Sequence, residues 1–258
     1  MKSLNGAEVA GFIKERQAHQ VRSFLRKPVL VIFRDSENPV IRKYVGLKQR
    51  YGDDIGVEVR DILVQKNELE KEILRANEDA EADGIIVQLP LEEGDEGVLE
   101  KIAPEKDVDG LGREAKFLSA TATAIDWLLN AYDVRLEQKK IALVGYGKLV
   151  GRPLAKLWKN YDVTVFRSKS DLAELYNYDV IVSATGKARL IRPEMVRPGC
   201  VVVDAGTASE DGVLVGDVDD EVRELKNIRA ITPKIGGVGP LTVAALFEHV
   251  IMAKSRRK

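Results

Sequence analysis

A chain of 258 residues, 45% hydrophobic and 31% charged, has the size and make-up of one large globular domain or two modest ones. Lys and Arg total 40 against 41 Asp and Glu, a net charge of -1, so the chain has no basic surplus for nucleic acid or an anionic membrane. One cysteine, Cys200, permits no internal disulfide, and with two histidines beside it a soft-metal site is not expected.

The opening MKSLNGAEVAGFIKERQ has charges inside its apolar pattern and no signal-like apolar core. No apolar run reaches the roughly 18 residues of a membrane span, and the expectation is a cytoplasmic protein. The basic end KSRRK reads as a solubilising tail. Helical periodicity over 6–26 leads into PVLVIF, then into a helical segment through Tyr44 and Lys48, and on to the extended VEVRDILV. NELEKEILRANED is helical, GIIVQLPL extended and EGVLEKIAP helical. A second series runs KKIALVGYG, a helix, DVTVF, a helix around SDLAELYN, DVIVSATG, GCVVVDAG and NIRAIT, with a closing helix TVAALFEHVIMA that is expected to pack back on the first series. This rhythm predicts two α/β domains with parallel sheets, joined near 113–120.

The strongest local signal is the glycine turn. Strand IALVG runs into Gly145-Tyr146-Gly147-Lys148-Leu149-Val150-Gly151 and then a helical pattern, so the glycines sit where a pyrophosphate can approach free N–H groups. Val150 stands where the usual third glycine would be. The next strand ends in Arg167-Ser168-Lys169, where an acid would favour NAD and an arginine suits a 2′-phosphate. A turn without cofactor and a solvated Arg167 are the plainer alternatives.

In the first series Tyr44 and Lys48 are four residues apart and share a helix face, a spacing that a surface pair also satisfies. Lys106-Asp107-Val108-Asp109-Gly110 is a turn with two carboxylates, which alone reads as an ordinary Asp-Gly turn. Gln88 ends an apolar run, and an amide buried without partners costs about 1–3 kcal/mol, so it is either satisfied locally or faces a ligand.

Taken together, YVGLK at 44–48, VQLPL at 87–91, PEKDVDG at 104–110, VGRP at 150–153, ATGK at 184–187, VVDAG at 202–206, GDV at 216–218 and GGVGPLT at 236–242 resemble the methylenetetrahydrofolate dehydrogenase/cyclohydrolase family over nearly the whole chain. The resemblance implies two parallel-sheet α/β domains with a cleft between them, the second of Rossmann type, in a homodimer. It implies a folate-binding domain of 1–116 plus 240–258 and an NADP-binding domain of 117–239. The implied activity is oxidation of 5,10-methylenetetrahydrofolate with NADP, NAD being possible, and hydrolysis of the methenyl product to 10-formyltetrahydrofolate. Catalytic roles fall on Tyr44, Lys48, Gln88 and Asp109, and folate contacts on Tyr44, Gln88, Leu89, Asp109, Gly237 and Pro240. Cofactor contacts fall on Gly145, Tyr146, Gly147, Lys148, Val150, Gly151, Arg167, Ser168, Thr185, Gly186 and Thr207, and no metal is implied.

Chemistry explains the amide. Loss of hydride leaves a delocalised cation between two folate nitrogens, so a useful lysine beside it must be largely neutral. Gln88 can hold Lys48 without pairing its charge, whereas a Glu would stabilise the ammonium. The chain departs from the family at 119–124, where the proline- and glycine-containing loop is SATATA, and at the nucleotide turn, where Tyr146 replaces an arginine. Ile41 replaces a serine and Lys234-Ile235 replaces Val-Pro. A dehydrogenase without hydrolysis and a non-catalytic nucleotide sensor are the alternatives these departures keep open.

Overall fold

The computed structural model describes residues 1–91, 96–210 and 213–256. In chain order these form β1 (Lys2–Ser3), α1 (Gly6–Val21), β2 (Val29–Arg34), α2 (Pro39–Ile55), β3 (Glu58–Leu63), α3 (Lys66–Glu78) and β4 (Gly84–Val87). They continue with α4 (Ala120–Ala131), β5 (Lys140–Val144), α5 (Gly151–Leu157), β6 (Asp162–Phe166), β7 (Val180–Ser183) and β8 (Val201–Asp204). The hairpin strands β9 (Ala208–Glu210) and β10 (Val213–Val215), then β11 (Ala230–Ile231) and α6 (Val238–Ser255), complete the series. Two compact units result, residues 11–120 with 243–258, and residues 1–10 with 121–242.

The first unit holds a parallel sheet in the order β3-β2-β4. Its central strand, VLVIFR, is buried along its whole length, as the apolar run Val29–Phe33 in a covered parallel sheet should be, with Arg34 at its end paired to Asp61 at 2.8 Å. Burial of a side chain such as Leu30 or Ile32, each 0% exposed, contributes about 1.5–3 kcal/mol. Helix α2 begins where the sequence signals it: the Asn38 side chain accepts from the Val40 N–H, and Pro39 takes the first turn. Ile41 is in the core, which accounts for an apolar residue at that position. The C-terminal part of α6 supplies Phe247, Val250 and Ile251 to this unit's interior, and Phe247 stacks on Tyr51 at 5.0 Å between ring centroids. The segment EGVLEKIAP, expected to be helical, is a short 3₁₀ helix over Glu96–Lys101, closed before Pro104.

The second unit is a six-stranded sheet in the order β1-β11-β8-β7-β5-β6, with every neighbouring pair parallel. The N-terminal residues belong to it, outside the bounds expected from the sequence, because Lys2 N–H donates to Arg229 O at 2.9 Å and Leu4 N–H to Ile231 O at 2.8 Å. Leu4 is fully buried. The SATATA segment is a correction: it does not form a loop but opens α4 directly after Ser119. Alanine has the highest helix propensity, and Ala120, Ala122 and Ala124 are all buried although they point to different sides of the helix, so the first turn of α4 is covered on both sides and small side chains suit it. Trp158 anchors this helix by donating its indole N–H to Asp126 Oδ1 at 2.9 Å.

Candidate active site and dinucleotide turn

Lys48 and Gln88 meet in the first unit. Gln88 directly follows β4 and its backbone N–H donates to Phe33 O at 2.8 Å, extending the sheet by one residue. Its side-chain Nε2 donates to Leu89 O at 2.9 Å, which turns Oε1 toward Lys48, whose Nζ donates to it at 2.7 Å. The amide is thus satisfied on both ends, and its oxygen presents no full negative charge to the amine. Burial lowers the Lys48 pKa, with the nearby Asp109 carboxylate opposing that shift. Burial likewise raises the Asp109 pKa, with Lys48 opposing and Asp107 reinforcing. Tyr44, one turn earlier on α2, is half-buried and its phenol is raised by burial, so it stays protonated as a neutral donor. The Leu89-Pro90 peptide is cis.

The turn that carries Asp109 is held from three sides. Lys106 is buried and its Nζ donates to Ala76 O, Asn77 O and Asp79 O at 2.8, 2.6 and 2.7 Å, closing the C-terminal end of α3. Asp107 folds inward, accepting from Gly110 N–H at 3.0 Å and Gly112 N–H at 2.7 Å. His249 of α6 donates from Nδ1 to Val108 O at 2.8 Å while its ring stacks on Phe117, and burial lowers its pKa, favouring the neutral form. Those three contacts leave Asp109 as the carboxylate of the turn that interacts with Lys48. Sequence reasoning assigned no role to Lys106 or His249; for His249 the available signal was a histidine inside the mainly apolar run LFEHVIMA, whereas Lys106, between Glu105 and Asp107, gave none.

In the second unit the glycine turn lies where β5 gives way to α5, between β6 on one side and β7 on the other. That is the place in the strand order where neighbouring crossovers diverge and open α/β sheets bind ligands. Gly145 has φ +103, and a Cβ there would lie 2.5 Å from Ala184 O; a Cβ on Gly151 would lie 2.3 Å from Gly145 O. Neither position admits a side chain. A Cβ on Gly147 would meet nothing within 4 Å, so the backbone here faces open space of the kind a pyrophosphate needs. Val150 is buried and caps α5 without a side-chain hydrogen bond.

The ATG loop after β7 is fixed from below by a residue that the sequence motifs contained but did not single out. Asp217, fully buried, accepts through Oδ2 from Ser183 Oγ at 2.7 Å, Thr185 N–H at 2.6 Å and Thr185 Oγ1 at 2.9 Å. Asp204 in turn accepts from the Asp217 N–H at 3.0 Å and from Arg223 Nη2 at 2.8 Å. Thr185, Gly186 and Thr207 therefore stand on a rigid polar base, with Gly186 open apart from Thr207 O at 3.5 Å from its notional Cβ. Lys148, Arg167 and Ser168 lie in the same unit on the turns after β5 and β6, the latter two exposed. Gly237 and Pro240, expected at the folate, belong to this unit as well, at the start of α6, whereas Tyr44, Lys48, Gln88, Leu89 and Asp109 belong to the other. The residues present fit a phosphorylated dinucleotide: glycines that let backbone approach, and cations beside them.

Sheet order, glycine turn and a lysine held by a neutral amide define a two-unit dinucleotide-dependent α/β enzyme. The catalytic-domain model of tetrahydrofolate dehydrogenase/cyclohydrolase matches residues 4–109 and its NAD(P)-binding-domain model matches 119–258. The chain belongs to the tetrahydrofolate dehydrogenase/cyclohydrolase family. It is 38% identical to the bifunctional protein FolD of Lactobacillus acidophilus over 99% of this chain and 98% of that one. Among solved structures it is similar to the bifunctional FolD of Campylobacter jejuni, with TM-score 0.93 and 33% identity over 100% of both chains. It is also similar to the Trypanosoma brucei FolD complexed with NADP and an inhibitor, with TM-score 0.90, 31% identity and coverage of 99% and 97%.

Proposed function

We propose that Lys48, held by Gln88 as a neutral amine, leaves room for the cation formed in the NADP-dependent oxidation of 5,10-methylenetetrahydrofolate and is the acid-base group in the hydrolysis of the resulting methenyl compound to 10-formyltetrahydrofolate. The observation that carries this reading is the 2.7 Å hydrogen bond from Nζ to an uncharged acceptor, together with a lysine pKa lowered by burial. Both favour the free amine. An ammonium in its place would oppose the cation that develops on the folate as oxidation proceeds.

NADP, when bound, supplies the hydride acceptor. Asp109 accepts N–H donors of the pterin, and Tyr44 lies against the folate on the same helix face as Lys48. In the hydrolytic step, the oxygen of water bonds to the methenyl carbon while its proton passes to neutral Lys48 Nζ. The ammonium then returns a proton to N5 as the carbon–N5 bond breaks, and the carbinol oxygen forms the formyl C=O on N10 by releasing its own proton to solvent, so the lysine is neutral again. Gln88 keeps Nζ in place through both transfers because its amide cannot itself take the proton. On the family resemblance, the proposal includes a homodimer in the cytoplasm.

A paired assay tests the reading: reduction of NADP or NAD with methylenetetrahydrofolate, and decay of methenyltetrahydrofolate supplied alone. Both rates are expected, with NADP the better acceptor. A chain that reduced NADP but left the methenyl compound to decay at the buffer rate would remove the hydrolytic assignment.

A further inference from the structure

The turn after β5 departs from the family by placing Tyr146 where an arginine is usual, and the structure puts that ring to use. The Arg167 guanidinium lies over it, 4.2 Å from the centroid. Arg152 is 5.8 Å from the same centroid, and its Nε donates to the Tyr146 carbonyl at 3.2 Å, fixing the turn that carries the ring. The stem of Arg167 is pinned as well, since its N–H donates to Ser170 Oγ at 3.0 Å and its carbonyl accepts from Ser170 N–H at 2.9 Å. Among the described residues no carboxylate pairs with Arg167, Lys148 or Lys169. Asp171, the nearest acid in sequence, is engaged with the Ala173 N–H at 2.9 Å.

We propose that Tyr146 is a specificity-determining residue for the 2′-phosphate of NADP, acting as the platform that holds the Arg167 guanidinium ready for it. A cation over a ring uses the face of the guanidinium and leaves its in-plane N–H donors for a phosphate. A free arginine loses rotamer entropy when a ligand fixes it, and stacking removes part of that loss before the ligand arrives. The family's usual turn arginine would contact the phosphate itself; here one cation is exchanged for the ordering of another.

The proposal rests on NADP being the cofactor, and binding of adenosine fragments tests the two separately. Calorimetry with adenosine 2′,5′-bisphosphate and adenosine 5′-monophosphate on the full chain needs no turnover. The wild type should bind the bisphosphate more tightly, and Tyr146→Ala should weaken that binding about 3- to 30-fold, the scale of a cation–π contact, while leaving the monophosphate unchanged. Tyr146→Phe should retain the affinity, and Tyr146→Ala should add nothing once Arg167 is Ala. No preference in the wild type would refute the NADP reading and the platform with it. A wild-type preference that survives Tyr146→Ala, an equal loss for both fragments, or an undiminished Tyr146→Ala effect in the Arg167→Ala background would overturn the platform alone.

Discussion

Asp107 and Asp109 stand two residues apart in one turn, and only their surroundings separate their roles. Asp107 spends both oxygens on the N–H groups of Gly110 and Gly112, while Asp109 interacts with Lys48. Asp109→Asn is therefore expected to weaken folate binding about tenfold or more, with NADP affinity and thermal midpoint unchanged. Asp107→Ala should instead cost about 1–3 kcal/mol of stability, read by denaturant titration, because the half-buried N–H groups of Gly110 and Gly112 lose their charged acceptor. For Lys48→Met, methenyl hydrolysis should fall by ~10²-fold or more, the scale of losing a positioned acid-base group. The hydrolytic rate of the wild type should rise with pH through the lowered Lys48 pKa, since the neutral fraction grows with pH. Stability follows the same sign: between the lowered native pKa and the ordinary lysine value the unfolded chain holds more protons, so that contribution increases with pH across the window. Both slopes should be absent in the Met variant, and a Met variant hydrolysing at wild-type rate would defeat the mechanism.

At the level of elements, the site depends on the start of one helix, the end of a second and the middle of a third. Helix α2 carries Tyr44 and Lys48 and is started by Asn38. Asn38→Ala should cost about 1 kcal/mol, measurable as a lower denaturation midpoint, with folate affinity falling less than for any change at Asp109 itself. The end of α3 is closed by Lys106, and α6 reaches the Asp109 turn through His249. A lysine holding three carbonyls and a neutral histidine holding a fourth thus fix the backbone of the turn that carries Asp109.

For the whole molecule, Lys48, Gln88 and Asp109, proposed for folate chemistry, lie in one compact unit and the glycine turn in the other, with Gly237 and Pro240, expected at the folate, on the side of the turn. Loss of one ligand's affinity should accordingly leave the other's nearly intact, as the Asp109 and Tyr146 variants test from opposite sides. A homodimer is the expected assembly, and sedimentation at micromolar concentration should give twice the mass of the 28.6 kDa chain. A monomer would remove the assembly without touching the chemistry of Lys48.

Most strands and the long helices were legible in the residue order, because short buried apolar runs such as VLVIF and GIIV read as strands of a covered parallel sheet and Asn-Pro before a periodic run marks a helix start. The family resemblance also singled out Tyr44, Lys48, Gln88 and Asp109, of which Lys48 and Gln88 meet in a hydrogen bond. The order alone misled at 119–124, where a run of alanines and threonines taken for an altered loop opens α4, since helix propensity there is completed by packing of the small side chains. It was silent on the two-residue edge strand β1, whose only cause is the backbone of β11, a partner more than two hundred residues away. Contacts of that kind also decided which aspartate faces Lys48, that Asp217 supports Thr185, and that Tyr146 lies beneath Arg167. A sequence specifies the side chains that can do chemistry, but hydrogen bonds between residues distant in the chain choose among them, and those exist only once the chain has folded.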